Sequence, residues 1–320
     1  MVEVNNLSVQ YMARHRRPVS AVRGVTFEVH DRELVGLVGE SGCGKTTLGY
    51  AMAGLLDSGR HAVQGKILFD GQDILAMSDE QLRRMRWVKF SMVLQGGMNA
   101  FNPVIKIKQQ FFDGMQEHSS MTHQQMMERV RYLLSLVKLD AEVAERYPHE
   151  LSGGMKQRVA IAMALSLNPK LVIMDEPTTA LDVVVQHAIV KTLVRLQKEL
   201  GFAVLFISHD LGVVLEIAER IVIMYAGQTV EINSAENILH RARHPYTQAL
   251  MQCYADPRSD QVQISGIEGS PPDLSLAVVG CAFAARCPKA WDRCLSEAPV
   301  AMSVDGGTVA CHLYEEEVPR

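Results

Sequence analysis

The stretch Gly39-Glu40-Ser41-Gly42-Cys43-Gly44-Lys45-Thr46 fits the spacing G-x-x-x-x-G-K-[ST]. It follows a short apolar run, Leu34-Val35-Gly36-Leu37-Val38, and precedes a segment that reads as a helix from about Thr46 to Leu55. A strand, a glycine loop and a helix form the context in which this spacing has physical meaning. Glycines let backbone N–H groups converge on phosphate oxygens, and the helix N-terminus adds partial positive charge. On this reading Ser41, Gly42, Cys43 and Gly44 surround the phosphates of a nucleotide. Lys45 reaches the β- and γ-phosphates as a point charge, Thr46 offers its hydroxyl to Mg²⁺, and Thr47 bonds the α-phosphate. Cys43 occupies a position in the loop that tolerates side chains, so its thiol is given no catalytic part.

A phosphate loop needs an acid to hold its metal. Leu171-Val172-Ile173-Met174-Asp175-Glu176 supplies two at the end of a buried strand. Adjacent carboxylates in such a place cost desolvation energy unless a cation sits beside them. That favours a nucleotide-bound metal over a plain surface turn. Asp175 is expected to hold Mg²⁺ through water, and Glu176 to face the γ-phosphate and polarise the attacking water.

Outward from these two motifs the pattern is alternating. Val2, Val4, Leu7 and Val9 open one strand, and Ala21-Val22 with Val25, Phe27 and Val29 give a second. The basic turn Arg14-His15-Arg16-Arg17-Pro18 between them reads as a solvated loop tip. Residues 104–167 read as mainly helical, with Met126, Met127, Val130, Leu133, Leu134, Leu136 and Val137 at near-helical spacing, and the methionines there suit core packing. A helix over Val183–Leu200 lies between two further buried strands, Leu171–Met174 and Ala203–Ile207, and another apolar run spans Ile221–Tyr225. Apolar runs alternating with helices imply an α/β fold with a largely parallel sheet. After about Cys253 the texture changes to Pro, Gly and clustered Cys, which places a boundary there.

Composition sets limits. The 320 residues are 48% apolar and 21% charged, with 32 basic against 36 acidic side chains and a net charge of −4. That balance gives no pull toward nucleic acid or anionic lipid. Met1-Val2-Glu3-Val4-Asn5 does not open a secretory signal, and no apolar run approaches the roughly 20 residues that span a bilayer. A reducing compartment is therefore expected, and disulfides are disfavoured.

Leu151-Ser152-Gly153-Gly154-Met155-Lys156-Gln157-Arg158 decides which class of phosphate-loop protein this is. It resembles the signature L-S-G-G-x-x-Q-R of ABC-type ATPases. Other pieces of that family's pattern follow in order over residues 1–250. Tyr11 matches the aromatic that stacks on adenine, and Gln95 the glutamine that touches Mg²⁺ and the attacking water. Ala180-Leu181-Asp182 matches the loop that crosses to a second subunit, and His209 the switch histidine on the γ-phosphate. Taken singly, Tyr11 reads as a half-buried strand aromatic, Gln95 as a polar strand end and His209 as a structural histidine. Their joint order and spacing carry the resemblance. It implies an ABC-type ATPase core with an antiparallel β part at the N-terminus and a helical subdomain at about 97–167, all within residues 1–253. It also implies that two such domains pair head to tail, with Ser152, Gly153 and Gly154 presented to a γ-phosphate bound on the partner.

Residues flanking the core resemble the dipeptide/oligopeptide/nickel importer branch. They are Tyr147-Pro148-His149-Glu150, His244-Pro245-Tyr246-Thr247-Gln248-Ala249-Leu250, Gly269-Ser270-Pro271-Pro272 and a tail containing Cys281, Cys287, Cys294 and Cys311. One departure is the stretch after Gln95, Gly96-Gly97-Met98-Asn99-Ala100-Phe101-Asn102-Pro103, where the branch commonly has Q-D-P-x-x-x-L-N-P. This loop leads toward the region expected to receive a permease, so the solute stays open among peptides, nickel and oligosaccharides.

The four tail cysteines are spaced C-x5-C-x6-C-x16-C. Four thiolates can hold zinc or a [4Fe–4S] cluster, but the close cysteine pairs usual for structural zinc are missing. The alternative of four free buried thiols leaves the tail, residues 254–320, few large apolar residues from which to build a core. The resemblance implies a [4Fe–4S] domain. It further implies a subunit on the cytoplasmic face of the membrane. That subunit pairs with a second ATPase chain, the same or different, beneath two permeases fed by a solute-binding protein. A soluble ABC ATPase acting on nucleic acid or ribosomes is the competing expectation; the absence of a basic surplus and of sustained heptads weighs against it.

Overall fold

The computed structural model describes residues 1–12, 17–97, 100–179, 181–253 and 266–315. Arg14–Arg16 of the basic turn, Met98 and Asn99 of the divergent loop, Ala180 of the crossing loop and the segment after Cys253 where a boundary was expected lie outside them. The chain divides into two compact units. One comprises Met1–Val29, Val35–Leu75 and Ser208–Arg320, the other His30–Leu34 and Ala76–Ile207.

The first unit contains an antiparallel sheet in the order Val19–Val29, Val2–Tyr11, His61–Phe69, Gln72–Asp73. Val4 faces Phe27 on one side and Ile67 on the other. The register shifts between Val4 and Leu7, where Asn6 has a φ of 49°. The shift takes burial from Val2 and Val4 to Leu7 and Val9, so all four pack into the core. The same unit holds the run Val35–Val38, parallel to the strand Arg220–Tyr225. Gln228–Ser234 returns antiparallel to Arg220–Tyr225, and Gly307–Ala310 pairs with it in turn. Ala301–Val304 and Gly307–Ala310 form a hairpin whose turn residues, Asp305 and Gly306, both have positive φ. The tail thus adds strands to the sheet that contains the phosphate-loop strand.

The second unit carries three parallel strands, Phe90–Val93, Leu171–Asp175 and Ala203–Ser208, with Met92, Ile173 and Leu205 in register. Its helices include Ile107–His118, His123–Leu136, Gly153–Ala164 and Val183–Leu200. The stretch expected to be mainly helical is interrupted by 3₁₀ turns at Ala141–Glu145 and Pro148–Glu150. Thr122 starts its helix with a capping box: Thr122 Oγ1 accepts from the Gln125 amide while Gln125 Oε1 accepts from the Thr122 amide. Met126, Val130, Leu133 and Leu134 then bury one face, as the spacing of the sequence required. Val183–Leu200 starts at Asp182, whose carboxylate accepts from the Val185 amide at 2.9 Å, and ends at Gly201 with a φ of 73°. It buries Ile189, Val190, Leu193 and Leu196, each worth about 1.5–3 kcal/mol of transfer free energy. The α/β core, antiparallel β part and helical part are those expected.

Among the described residues no helix is long and apolar enough to cross a membrane.

Candidate functional site

The phosphate loop is set by close backbone packing. A Cβ on Gly39 would lie 2.1 Å from the Met224 carbonyl oxygen. Gly44 has a φ of 102°, and a Cβ there would lie 2.1 Å from the Ala21 carbonyl oxygen. The loop therefore runs as bare backbone against two strands and delivers the helix Lys45–Met52 with Gly44 as its cap. Ser41 and Gly42 face solvent, while Cys43 is buried, which pushes its thiol up from the ordinary range. Lys45 is only 5% exposed, and its Nζ donates to the carbonyls of Gly39 at 2.7 Å and Glu40 at 3.0 Å. Burial of an ammonium is sustained by these bonds, which also aim it back over the loop.

Tyr11 ends its strand half-exposed, with Oη 2.9 Å from Thr47 Oγ1 and its ring edge-on to His61 at 4.6 Å. The aromatic expected on adenine thus touches the threonine expected on the α-phosphate. His61 was not singled out from the sequence. It is the cross-strand partner of Tyr11, a pairing that becomes visible only once the strand His61–Phe69 is recognised. His209 is exposed just after the strand Ala203–Ser208, and Asp210 caps the following helix through the amides of Gly212 and Val213.

The second unit holds Gln95, Asp175 and Glu176. Asp175 is wholly buried at the end of its strand. Glu176 turns away with a φ of 45°, its amide donating to the Ile207 carbonyl at 2.9 Å. Positive φ at a non-glycine residue is strain that the surroundings must hold, and it is concentrated at functional positions. Gln95 Nε2 donates to Glu176 Oε2 at 3.3 Å, and Thr179 Oγ1 donates to the same oxygen at 2.8 Å. Gln95 and Glu176, 81 residues apart, are thus brought together. Thr179 is an addition that the sequence reading passed over, although it stands three residues after Glu176. Within this unit the oxygen donors of Asp175 and Gln95 are of the hard type that suits Mg²⁺.

Ser152 caps the helix Gly153–Ala164, its hydroxyl accepting from the Met155 amide at 3.3 Å. Ser152 and Gly153 are exposed, which leaves the helix start open to an anion. Val183 and Val184, following Asp182, are each 79% exposed.

In the tail, Cys281, Cys287, Cys294 and Cys311 line one cavity together with Phe283 and Trp291. Burial pushes the Cys311 thiol up to about 11, and the neighbouring thiols of Cys281, Cys287 and Cys294 push it the same way. Thiols are soft donors of the type that thiolate-bound metals take. Among the described residues no set of three His, Cys, Asp or Glu side chains stands at metal-holding distances.

Comparison with known proteins matches these features. Residues 22–179 match the ABC transporter family, and residues 230–294 match the oligopeptide/dipeptide transporter C-terminal region. The chain is 39% identical to the oligopeptide transport ATP-binding protein AppD of Bacillus subtilis (strain 168), over 99% of this chain and 98% of that protein. It is 38% identical to the dipeptide transport ATP-binding protein DppD of Escherichia coli (strain K12), over 100% of this chain and 98% of that one. Among solved structures it is similar to the ATP-binding cassette MJ0796, in a dimeric post-hydrolysis state bound to ADP and Pi. That match has a TM-score of 0.65 at 27% identity, covering 73% of this chain and 99% of that one. The chain belongs to the ATP-binding subunits of ABC transporters, the ATPases that couple ATP hydrolysis to transport, and within them to the oligopeptide/dipeptide type.

Proposed function

We propose that this chain powers uptake of peptides through partner permeases, by binding MgATP at the phosphate loop and hydrolysing it with Glu176. The observation that carries the hydrolytic part is the convergence of Gln95 and Thr179 on one carboxylate oxygen of Glu176. Two donors on Oε2 orient the carboxylate, and Glu176 polarises the attacking water toward the γ-phosphate. Tyr11 stacks on adenine. Ser41, Gly42, Cys43, Gly44 and Thr47 hold the phosphates, Lys45 spreads their charge, and His209 contacts the γ-phosphate. Thr46, Gln95 and Asp175 hold Mg²⁺, which when bound neutralises charge on the β- and γ-phosphate oxygens. Ser152, Gly153 and Gly154 act on the nucleotide of a second ATP-binding subunit, the same chain or a different one. ATP then joins the two and its hydrolysis releases them.

The peptide reading rests on the names of the relatives and on the matched C-terminal region. It implies a peripheral position on the cytoplasmic face of a membrane, under two permeases supplied by a solute-binding protein; nickel and oligosaccharides are the other solutes to be tried. The four tail cysteines hold a [4Fe–4S] cluster in this proposal, in a structural or sensing part outside the hydrolytic chemistry, with zinc as the other occupant of a four-thiolate site.

Phosphate release from MgATP by the purified chain, with Lys45→Ala alongside, tests the nucleotide reading. Loss of the lysine is expected to weaken ATP binding about 10- to 100-fold, the contribution of charge-assisted hydrogen bonds. Unchanged affinity rejects the loop assignment. Iron, sulfide and zinc analysis after anaerobic purification tests the tail. About four irons and four sulfides per chain are expected, and one zinc with no iron gives the tail a zinc staple instead.

A further inference from the structure

A chain of hydrogen bonds runs from the phosphate loop to the cysteine-rich tail, and the nucleotide chemistry above makes no use of it. It converges on Glu40, the second residue of the loop. The Glu40 amide donates to Tyr246 Oη at 3.0 Å, its carbonyl accepts from Lys45 Nζ at 3.0 Å, and its Oε2 accepts from Arg286 Nη1 at 2.9 Å. Amide, carbonyl and carboxylate are therefore all engaged, two of them by residues from the C-terminal part of the chain.

Both of those residues are themselves fixed. Arg286 donates through Nε to the Glu268 carbonyl at 2.9 Å and through Nη2 to the Ile267 carbonyl at 3.0 Å. Nη1 also donates to Tyr225 Oη at 3.2 Å. Its guanidinium lies over the rings of Tyr225 and Phe283, and its side chain is only 5% exposed. It immediately precedes Cys287, and Phe283 lines the cysteine cavity. Tyr246 is wholly buried, its ring 4.6 Å from Tyr225 and 5.4 Å from Phe283. A surface ion pair contributes little. This one is part-buried, with the Arg286 side chain almost wholly covered and the guanidinium hydrogen-bonded on each edge, so losing Glu40 strands a covered cation.

We propose that Arg286 and Tyr246 are positioning residues for the phosphate loop. Together they hold Glu40, and through its carbonyl the Lys45 ammonium, in the arrangement that receives a nucleotide. A loop held in place before binding gives up less freedom on binding, so the clamp acts on nucleotide affinity rather than on the chemical step. The inference rests on the ATP-site reading above.

The test uses the full chain with Glu40→Gln, Arg286→Gln, Tyr246→Phe and the Glu40→Gln/Arg286→Gln double variant. Two quantities are read: the MgATP dissociation constant by equilibrium titration, and kcat at saturating ATP. Each single variant is expected to raise the dissociation constant about five- to tenfold, the net scale of one hydrogen bond, while kcat stays within about twofold. The double variant is expected to bind no more weakly than the poorer single variant, because the two residues act through one bond. A residue that merely glued the tail in place would lower the unfolding midpoint and leave the dissociation constant alone. Wild-type affinity in Arg286→Gln and Tyr246→Phe, or additive losses in the double variant, overturns the proposal. Should Arg286→Gln fail to fold, Tyr246→Phe removes a single oxygen, keeps the ring packing and decides the question alone. A wild-type chain that does not bind MgATP rejects the function above, whereas binding that is equal in wild type and variants rejects only the clamp.

Discussion

The phosphate loop and the cysteine-rich tail are both irregular backbone, yet they are held by different means. The loop is fixed by what its residues lack. Gly39 and Gly44 carry no Cβ, and the carbonyls of Met224 and Ala21 occupy the space where one would be. The tail is fixed by what its residues reach. Gly307–Ala310 pairs with Gln228–Ser234, Arg243 forms an ion pair with Asp305, and Tyr314 Oη donates to the Arg243 carbonyl at 2.9 Å. Buried Glu231 supports this attachment by accepting from the amides of Arg243 and His244, both at 2.9 Å. A loop built by exclusion has one conformation set at short range. A tail built by polar contacts depends on many remote partners.

That difference can be broken from either side. The largest expected effect is at Cys287. Cys287→Ser is expected to bring metal content down to background while the far-UV circular dichroism of the ATPase core is retained; a full complement of metal would reject Cys287 as a ligand. Next comes Gly44→Ala. A methyl group 2.1 Å from a carbonyl oxygen at a φ of 102° is expected to cost about 3 kcal/mol, or about 100-fold in MgATP affinity. Metal content is expected to stay at the wild-type level. Metal loss in this variant would show that the tail depends on the loop's conformation, and unchanged affinity would show that close packing does not set the loop. The effect expected at Arg286, about five- to tenfold, is smaller than either and probes a place where the two regions meet.

The loop, the strands and the capped helices were legible because their signals are local. Val183–Leu200 begins and ends where the sequence placed it, since Asp182 and Gly201 mark it at both ends. The paired acids at Asp175 and Glu176 announced themselves by adjacency. Remote pairings were not legible. Nothing near Glu40 in sequence points to Arg286, 246 residues away, and nothing near Tyr11 points to His61. The tail hairpin is a different case. Asp305-Gly306 is a strong local turn signal, but the strands it joins, Ala301–Val304 and Gly307–Ala310, are only four residues each, too short for alternation to stand out from the irregular tail. The expected boundary after Cys253 fell where the backbone is not described, while the tail beyond it shares a compact unit with the phosphate loop.

The measurement that tests the central claim most directly compares MgATP binding and phosphate release in Glu176→Gln. The substitution keeps a hydrogen-bonding oxygen near Gln95 and Thr179 but removes the charge that polarises water. MgATP binding is expected to stay within about threefold of wild type, while turnover falls at least about 100-fold, the scale of a lost general base. Steady-state phosphate release at the wild-type rate would contradict the role given to Glu176.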